Sequence, residues 1–198
     1  MTITYTVKNG LYLNLTNACP NACTFCERNT VDGVGSADSL WLPHDPFYEE
    51  AVAALEAYDL SAFDEIVFCG YGEPLCRLDT VVAVSRWLRA RNALPIRVNT
   101  NGLSDLINGR RTAPELAGLV DAVSISLNAP TAKEYDALCQ SVYREEAFPA
   151  LLRFAADCRG LGIKVTLTAV DVIPPDRLEA CRAVAEKLGV AFRVRAAH

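Results

Sequence analysis

Three cysteines lie close together near the start of the sequence, at Cys19, Cys23 and Cys26. Their C-x3-C-x2-C spacing puts three potential thiolate ligands on one short segment, and no fourth cysteine follows before Cys69. Zinc sites and most cysteine-bound clusters use four protein ligands. Three thiolates can instead hold three irons of a four-iron, four-sulfur cluster. The fourth iron then stays open to an exogenous molecule, as one position of a catalytic zinc does.

Further polar or glycine-rich segments, here called phrases, lie at the ends of the predicted strands. Ligands of parallel α/β folds bind at the carboxyl ends of the strands, so such phrases at consecutive strand ends predict one common site. The five phrases are CPNACTFC after the first strand, GYGEP at 70–74, NTNG at 99–102, SLN at 126–128 and TAV at 168–170.

The elements that must position these phrases alternate between strands and helices. Short β-rich runs predict six strands, at 11–16, 65–70, 96–102, 121–129, 163–170 and 190–195. Helical apolar spacing predicts helices at 47–58, 79–92, within 133–162, and at 174–189. A closed eight-stranded barrel typically needs ~250 residues, and this chain has 198. The pattern therefore predicts an α/β fold, a six-stranded partial TIM barrel of (β/α)6 type, as a single domain over 1–198.

The composition narrows the possible functions. A net charge of −5 and a pI near 5.1 do not indicate a nucleic-acid surface. No run approaches the ~20 apolar residues of a membrane span, and we see no secretory signal. We therefore expect no membrane association and a cytoplasmic location, where the eight cysteines are thiols or metal ligands. With only two histidines, Cys–His or Ser–His catalysis has almost nothing to work with.

The cysteine segment and the GYGEP phrase together resemble a known superfamily. The three cysteines at the end of a first strand, with Phe25 before the third, resemble the signature of the radical S-adenosylmethionine (radical SAM) enzymes. GYGEP resembles the glycine-glutamate-proline turn of the same superfamily, although Tyr71 stands where many members have a second glycine. With FCGYGEPL, VNTNG and DAVSISLNAP, the whole chain is most similar to the TatD-associated radical SAM proteins.

The resemblance implies two cofactors and a reaction. Cys19, Cys23 and Cys26 would bind a [4Fe–4S] cluster, and the methionine amino and carboxylate groups of SAM would bind the open iron. An electron from the reduced cluster would cleave SAM into methionine and a 5′-deoxyadenosyl radical, and this radical would abstract a hydrogen atom from a substrate. The cofactors then carry the difficult step, and the protein positions them and excludes water and oxygen.

The resemblance also implies which residues contact SAM. They are Gly70, Gly72 and Glu73 near the amino group, Pro74 in the turn, Phe25 near the adenine, Asn99 at the ribose, Ser126 and Asn128 in the carboxylate and ribose region, and Thr168 and Val170 beside the adenine.

The sequence leaves the reaction and several features open. The substrate can be a small molecule or a partner protein, with electrons from an external donor such as flavodoxin or ferredoxin. No catalytic residue of the chain is identified, and a non-catalytic iron–sulfur or zinc-binding electron-transfer module is the alternative function. The irregular segment 27–46 is either a surface excursion or a substrate cover. Arg110 and Arg111 form either a solvated pair or a grip for a phosphate or carboxylate.

Overall fold

The fold is built on a single sheet. The structure is a computed structural model that describes residues 1–91 and 93–196. Over these residues the sheet has seven strands in the spatial order of the sequence. The first strand pairs antiparallel with the second, and all later pairs are parallel. The strands are β1 (Thr4–Val7), β2 (Gly10–Leu13), β3 (Glu65–Phe68), β4 (Ile96–Thr100), β5 (Ala122–Ser126), β6 (Lys164–Val170) and β7 (Ala191–Arg195).

Helices connect the parallel strands. They are α1 (Tyr48–Glu56), α2 (Leu78–Arg89), α3 (Ser104–Asn108), α4 (Ala113–Leu116), α5 (Ala132–Cys139), α6 (Ala147–Gly160) and α7 (Pro175–Leu188). Crossovers between parallel strands are almost always right-handed. Because neighbouring strands here follow one another in the sequence, every crossover advances in the same direction. The helices therefore cover one face of the sheet and leave the other face free.

The two faces of the sheet differ in chemistry because strand side chains alternate. One row of register partners runs across five strands and is buried under the helices: Leu13, Phe68, Val98, Val123 and Val165. These side chains belong to the same hydrophobic cluster as Leu88 of α2 and Phe154 of α6.

The next row of partners carries polar side chains on the free face, with Asn99 opposite Ser124 and Ser124 opposite Thr166. The sheet thus has an apolar face for the core and a polar face for a ligand.

Local sequence explains where two of the connecting helices begin or end. Thr131 caps α5 by accepting a hydrogen bond from the Glu134 amide. Pro175 starts α7, where a missing amide proton costs nothing. Gly189 ends the same helix in the left-handed region, at φ 65°, a conformation that glycine adopts without strain.

The predicted single-domain α/β fold is confirmed, with β2 to β7 as the six predicted parallel strands. The sequence analysis missed β1, although the β-branched alternation of TITYTV was a usable signal. It also missed α3 and α4, which are too short to show a helical period. The helix predicted at 79–92 is α2, and its last predicted residue, Asn92, lies outside the described residues.

In the described part of the chain, no helix combines the length and the apolar character that crossing a membrane requires.

The difference between the two faces can be tested at adjacent residues of β6. Leu167 is fully buried under the helices, whereas the neighbouring Thr166 is half-buried on the free face. We expect Leu167→Ala to lower the free energy of unfolding by about 2–5 kcal/mol because it leaves a cavity in the core. Thr166→Ala should cost less than about 1 kcal/mol. Urea unfolding of both variants measures this, and equal losses would contradict the assignment of the faces.

Candidate active site at the carboxyl ends of the parallel strands

A cavity of about 220 Å³ lies at the carboxyl ends of the parallel strands. Twelve of the thirteen residues that the sequence predicts for the site line it: Cys19, Cys23, Phe25, Cys26, Gly70, Gly72, Glu73, Asn99, Ser126, Asn128, Thr168 and Val170. Pro74, the thirteenth, is buried at the start of the short 3₁₀ turn Pro74–Arg77. The fold brings together residues from five strand ends, while the contact of each with a ligand stays a prediction.

The cysteine segment is held against the end of α5. The Ala22 amide donates to the carbonyl of Cys139 over 3.0 Å, and the Thr24 amide donates to that of Leu138 over 3.0 Å. The Cys26 amide then donates to the Cys23 carbonyl and closes a tight turn. These bonds fix the backbone on both sides of the second cysteine, so the three thiols are presented from a defined loop.

The GYGEP turn is bonded directly to the chain that leads into the cysteines. The Gly72 amide donates to the Thr16 carbonyl over 3.0 Å, and the Glu73 amide donates to the Ala18 carbonyl over 2.8 Å. A Cβ atom on Gly72 would stand 2.3 Å from the Thr16 carbonyl oxygen and 2.7 Å from that of Ala18. Only glycine permits this approach of two backbones.

Glu73 is the buried acid of the site, with 3% of its surface exposed. Its Oε1 accepts from the Leu75 amide at 3.0 Å and from the Thr100 hydroxyl at 2.7 Å, and its Oε2 accepts from the Asn101 amide at 2.6 Å. Burial nevertheless raises its pKa to about 7. A carboxylate oxygen accepts two hydrogen bonds, so Oε2 keeps room for one more donor.

The three thiols form a donor set that suits an iron–sulfur cluster. All three line the same cavity, and thiolates are the usual ligands of such clusters. Burial, and after it the charge of Glu73, raises the pKa of Cys19 to about 12, and burial also raises the pKa of Cys26. Iron binding must therefore displace these protons.

Arg28 is the nearby cation that favours the thiolates. Its charge acts to lower the pKa of each of the three cysteines, against the opposing effect of burial. Arg28 was not among the predicted site residues, although a basic residue two positions after the third cysteine was visible in the sequence.

Among the described residues, no group of three or more His, Cys, Asp and Glu side chains is arranged to hold a single metal ion.

Cys139 is a fourth thiol beside the cysteine segment. It is fully buried, and its hydrogen bond with Cys23, followed by burial, raises the pKa of Cys23. Its sulfur also accepts from Asn128 Nδ2 at 3.8 Å. Cys139 does not line the cavity. No sequence pattern indicates this proximity, because Cys23 and Cys139 are far apart along the chain.

Asn128 has two features of a ligand-binding residue. Its backbone is left-handed, with φ 56°, which is uncommon for a residue other than glycine. Its Oδ1 is buried and has no hydrogen-bond partner within residues 1–91 and 93–196. Buried polar atoms are rarely left unpaired, so this carbonyl suits a donor on a bound molecule.

Several residues of the cavity wall were not predicted as site residues. They are Asn21, Glu27, Arg28, Cys69, Tyr71, Thr100, Asn101, Ser124, Arg193, Arg195 and Ala196. Ser124 could have been found from strand alternation, because it lies two residues before Ser126 and faces the same way. Arg193 and Arg195 belong to no motif, and only the position of β7 beside β6 brings them to the cavity.

Arg110 and Arg111, whose role the sequence left open, lie away from the cavity. Arg110 pairs with Glu115, with 2.8 Å between Nε and Oε1, and Arg111 pairs with Asp157. Neither arginine lines the cavity, so they are surface ion pairs.

The segment 27–46 is packed against the first strands rather than extended over the cavity. Ser36 bonds to Thr6 of β1, and the Tyr71 hydroxyl donates to the Val31 carbonyl. Of this segment, Glu27 and Arg28 line the cavity.

The sequence matches one protein-family model. The family is described as the radical SAM superfamily, and residues 13–188 are matched. The matched range contains all the predicted site residues. Among proteins with a curated function, none matches this chain.

Solved structures share the fold. A radical SAM methyltransferase from Sphaerobacter thermophilus has a TM-score of 0.68 and 20% identity, over 98% of this chain and 57% of its own. SuiB from Streptococcus suis, bound to its precursor peptide SuiA, has a TM-score of 0.68 and 14% identity, over 96% and 39%. TsrM from Kitasatospora setae, with cobalamin and a [4Fe–4S] cluster bound, has a TM-score of 0.58 and 16% identity, over 94% and 34%. The chain spans less than two thirds of each of these proteins.

The close contact at Gly72 gives a test of the site's architecture. Gly72→Ala must separate the GYGEP turn from the cysteine segment, and we expect it to lower the free energy of unfolding by about 2 kcal/mol or more. Gly160→Ala is the matched control, because a Cβ there meets nothing within 4 Å. In the last turn of α6 it should be neutral or stabilise by about 0.5–1 kcal/mol. Chemical denaturation compares the two, and a harmless Gly72→Ala would refute the close contact.

Proposed function

Since the chain belongs to the radical SAM superfamily, we propose that it is an enzyme that binds a [4Fe–4S] cluster and SAM in the cavity at the strand ends. The observation that carries the proposal is that Cys19, Cys23 and Cys26 face one cavity together with the GYGEP turn. Two structural relatives support the cofactor assignment, since TsrM has been solved with a [4Fe–4S] cluster and SuiB with SAM.

In this proposal the three cysteines hold three irons, and Arg28 offsets part of the negative charge that their thiolates bring. Reductive cleavage of SAM, to methionine and a 5′-deoxyadenosyl radical for hydrogen abstraction, is the chemistry that the bound cofactors supply. The chain's own residues hold these groups, orient them and limit the access of water.

The polar wall supplies the contacts to SAM. Glu73 Oε2 has one acceptor position left for the amino group, while its other bonds keep the carboxylate in place. Asn128 also lines the cavity, and its Oδ1 is a buried acceptor without a partner within residues 1–91 and 93–196. Gly70 and Gly72 let the turn pack closely against Asn14 and Thr16, and Pro74 fixes φ where the short 3₁₀ turn begins.

The remaining predicted residues keep their roles within the proposal. Phe25 supplies an aromatic face for the adenine, and Thr168 and Val170 flank it from β6. Asn99 and Ser126 face the ribose and carboxylate region. The Asn99 amide oxygen accepts from Arg97, whose guanidinium is itself bonded to Glu65 at 2.5 Å, so the side chain is held in one orientation.

The finer assignments form part of the same proposal. We assign the radical SAM core domain to 1–198, with the TatD-associated proteins as the subgroup and the cytoplasm as the location. An external donor such as flavodoxin or ferredoxin would supply the electron. The substrate is either a small molecule or a partner protein. A peptide substrate has a precedent in SuiB, which was solved with its precursor peptide.

The decisive experiment is anaerobic reconstitution with iron and sulfide, followed by dithionite and SAM. We expect 5′-deoxyadenosine and methionine in similar amounts, together with a change in the electron paramagnetic resonance spectrum of the reduced protein when SAM is added. The alternative function, a non-catalytic electron-transfer module, predicts a cluster or zinc site whose spectrum is indifferent to SAM. A fully loaded protein that never cleaves SAM would defeat the proposal.

The number of protein ligands can be tested with two cysteine variants. Cys23→Ala removes a proposed ligand, so we expect loss of the cluster and of 5′-deoxyadenosine formation. Cys139→Ala is the matched control, because its thiol contacts Cys23 but does not line the cavity. It should retain about four irons per chain. If Cys139→Ala loses the cluster as completely as Cys23→Ala does, four cysteines bind it and no iron is open to SAM.

A further inference from the structure

Two arginines of β7 line the wall of the cavity. Arg193 and Arg195 lie two residues apart on one strand, so both side chains point to the same face of the sheet. Their register partners on β6 are Thr168 and Val170, which also line the cavity. Two guanidinium groups thus stand side by side where the parallel sheet ends.

The guanidinium groups of Arg193 and Arg195 have few hydrogen-bond partners among the described residues. The Nε atom of Arg195 is buried and has no hydrogen-bond partner within the described ranges, 1–91 and 93–196. The one hydrogen bond that the Arg195 guanidinium makes to a side chain there is long: Nη2 donates to the Ser126 hydroxyl over 3.5 Å. The side chain of Arg193 is exposed and makes no hydrogen bond or ion pair with another described residue. By contrast, Arg97 on the same face is bonded to Glu65 at 2.5 Å.

Neither arginine of the pair has an ion-pair partner in the described structure, although the charge of Glu27 acts to favour the charged form of Arg195. The two arginines repel each other, and burial is the main cause that lowers the pKa of Arg195. The carboxylates of the cavity wall are Glu27 and Glu73. Glu73 accepts hydrogen bonds from three donors of other residues, and Glu27 forms no ion pair with either arginine in the described structure. Because neither β7 arginine has an ion-pair partner in the described part of the chain, this wall suits an anionic ligand.

We propose that the β7 wall binds a carboxylate or phosphate group of the substrate, and the proposal rests on the function proposed above. Guanidinium groups match both anions with paired N–H donors. SAM itself carries a carboxylate, but its amino group is assigned to the GYGEP turn after β3. Arg195 lies 3.5 Å from the hydroxyl of Ser126, which is assigned to the carboxylate and ribose region of SAM. Two guanidinium groups carry more positive charge than one carboxylate neutralises, so we assign the anion at this wall to a second molecule, and saturating SAM is the arm of the test that separates the two sources.

The test is arginine modification by phenylglyoxal, followed by peptide mass spectrometry on the reconstituted protein. Inorganic phosphate and succinate are the probes, at ionic strength held constant with sodium chloride. We expect either probe to slow the modification of Arg193 and Arg195, by about tenfold when nine-tenths of the sites are occupied. Arg91, which is exposed and lies over Trp87, is the internal control and should react at an unchanged rate.

A third arm with saturating SAM and no other anion identifies the source of the anion. Protection of both arginines by SAM alone would assign them to its carboxylate and overturn the proposal, as would an absence of protection by both probes. In a second measurement, Arg193→Gln and Arg195→Gln should lose the phosphate-induced rise in Tm that Arg91→Gln retains. A rise retained in both cavity variants would also overturn it. Arginine modification does not require turnover, so a lack of protection by the probes can be told apart from a failure to form 5′-deoxyadenosine.

Discussion

The buried carboxylate of Glu73 is the interaction on which the site depends. It joins three pieces of chain that are distant in sequence: its own turn after β3, the end of β4 through Thr100 and Asn101, and, through its amide, Ala18 beside the cysteine segment. Burying a carboxylate with 3% exposure would destabilise the fold if these donors were missing. Its hydrogen bonds hold the glycine-rich turn and the thiols in one arrangement before any cofactor arrives, which is the kind of preorganisation that binding sites need.

The consecutive order of the parallel strands explains why such a site can exist. Uniform crossovers put the helices on one face, so one row of strand residues becomes core while the alternating row remains free for polar groups. The apolar face contributes stability in the usual way, through residues such as Phe68 and Leu167 that are fully buried. The polar face faces the cavity with the β7 arginines, and next to it lies the Asn128 carbonyl, which has no partner among the described residues.

The distribution of arginines shows how position changes the role of one residue type. Arg110 and Arg111 are adjacent in sequence and would attract attention as an anion site, yet the fold gives them carboxylate partners on the surface. Arg193 and Arg195 belong to a strand that shows no motif, yet the fold places both at the cavity, where neither forms an ion pair in the described structure. The two pairs have the same formal charge, and their different neighbours decide which pair can bind a ligand.

The sequence by itself determined the elements and the chemistry of the loops. Alternation and turn residues are local signals, so the six parallel strands, the three-cysteine segment and the GYGEP turn could be predicted from it. Tertiary structure alone decided what depends on distant parts of the chain. It brought Cys139 to Cys23, gave Glu73 its donors from β4 and placed the β7 arginines at the cavity. Such proximities are set by how elements pack, and no short stretch of sequence carries that information.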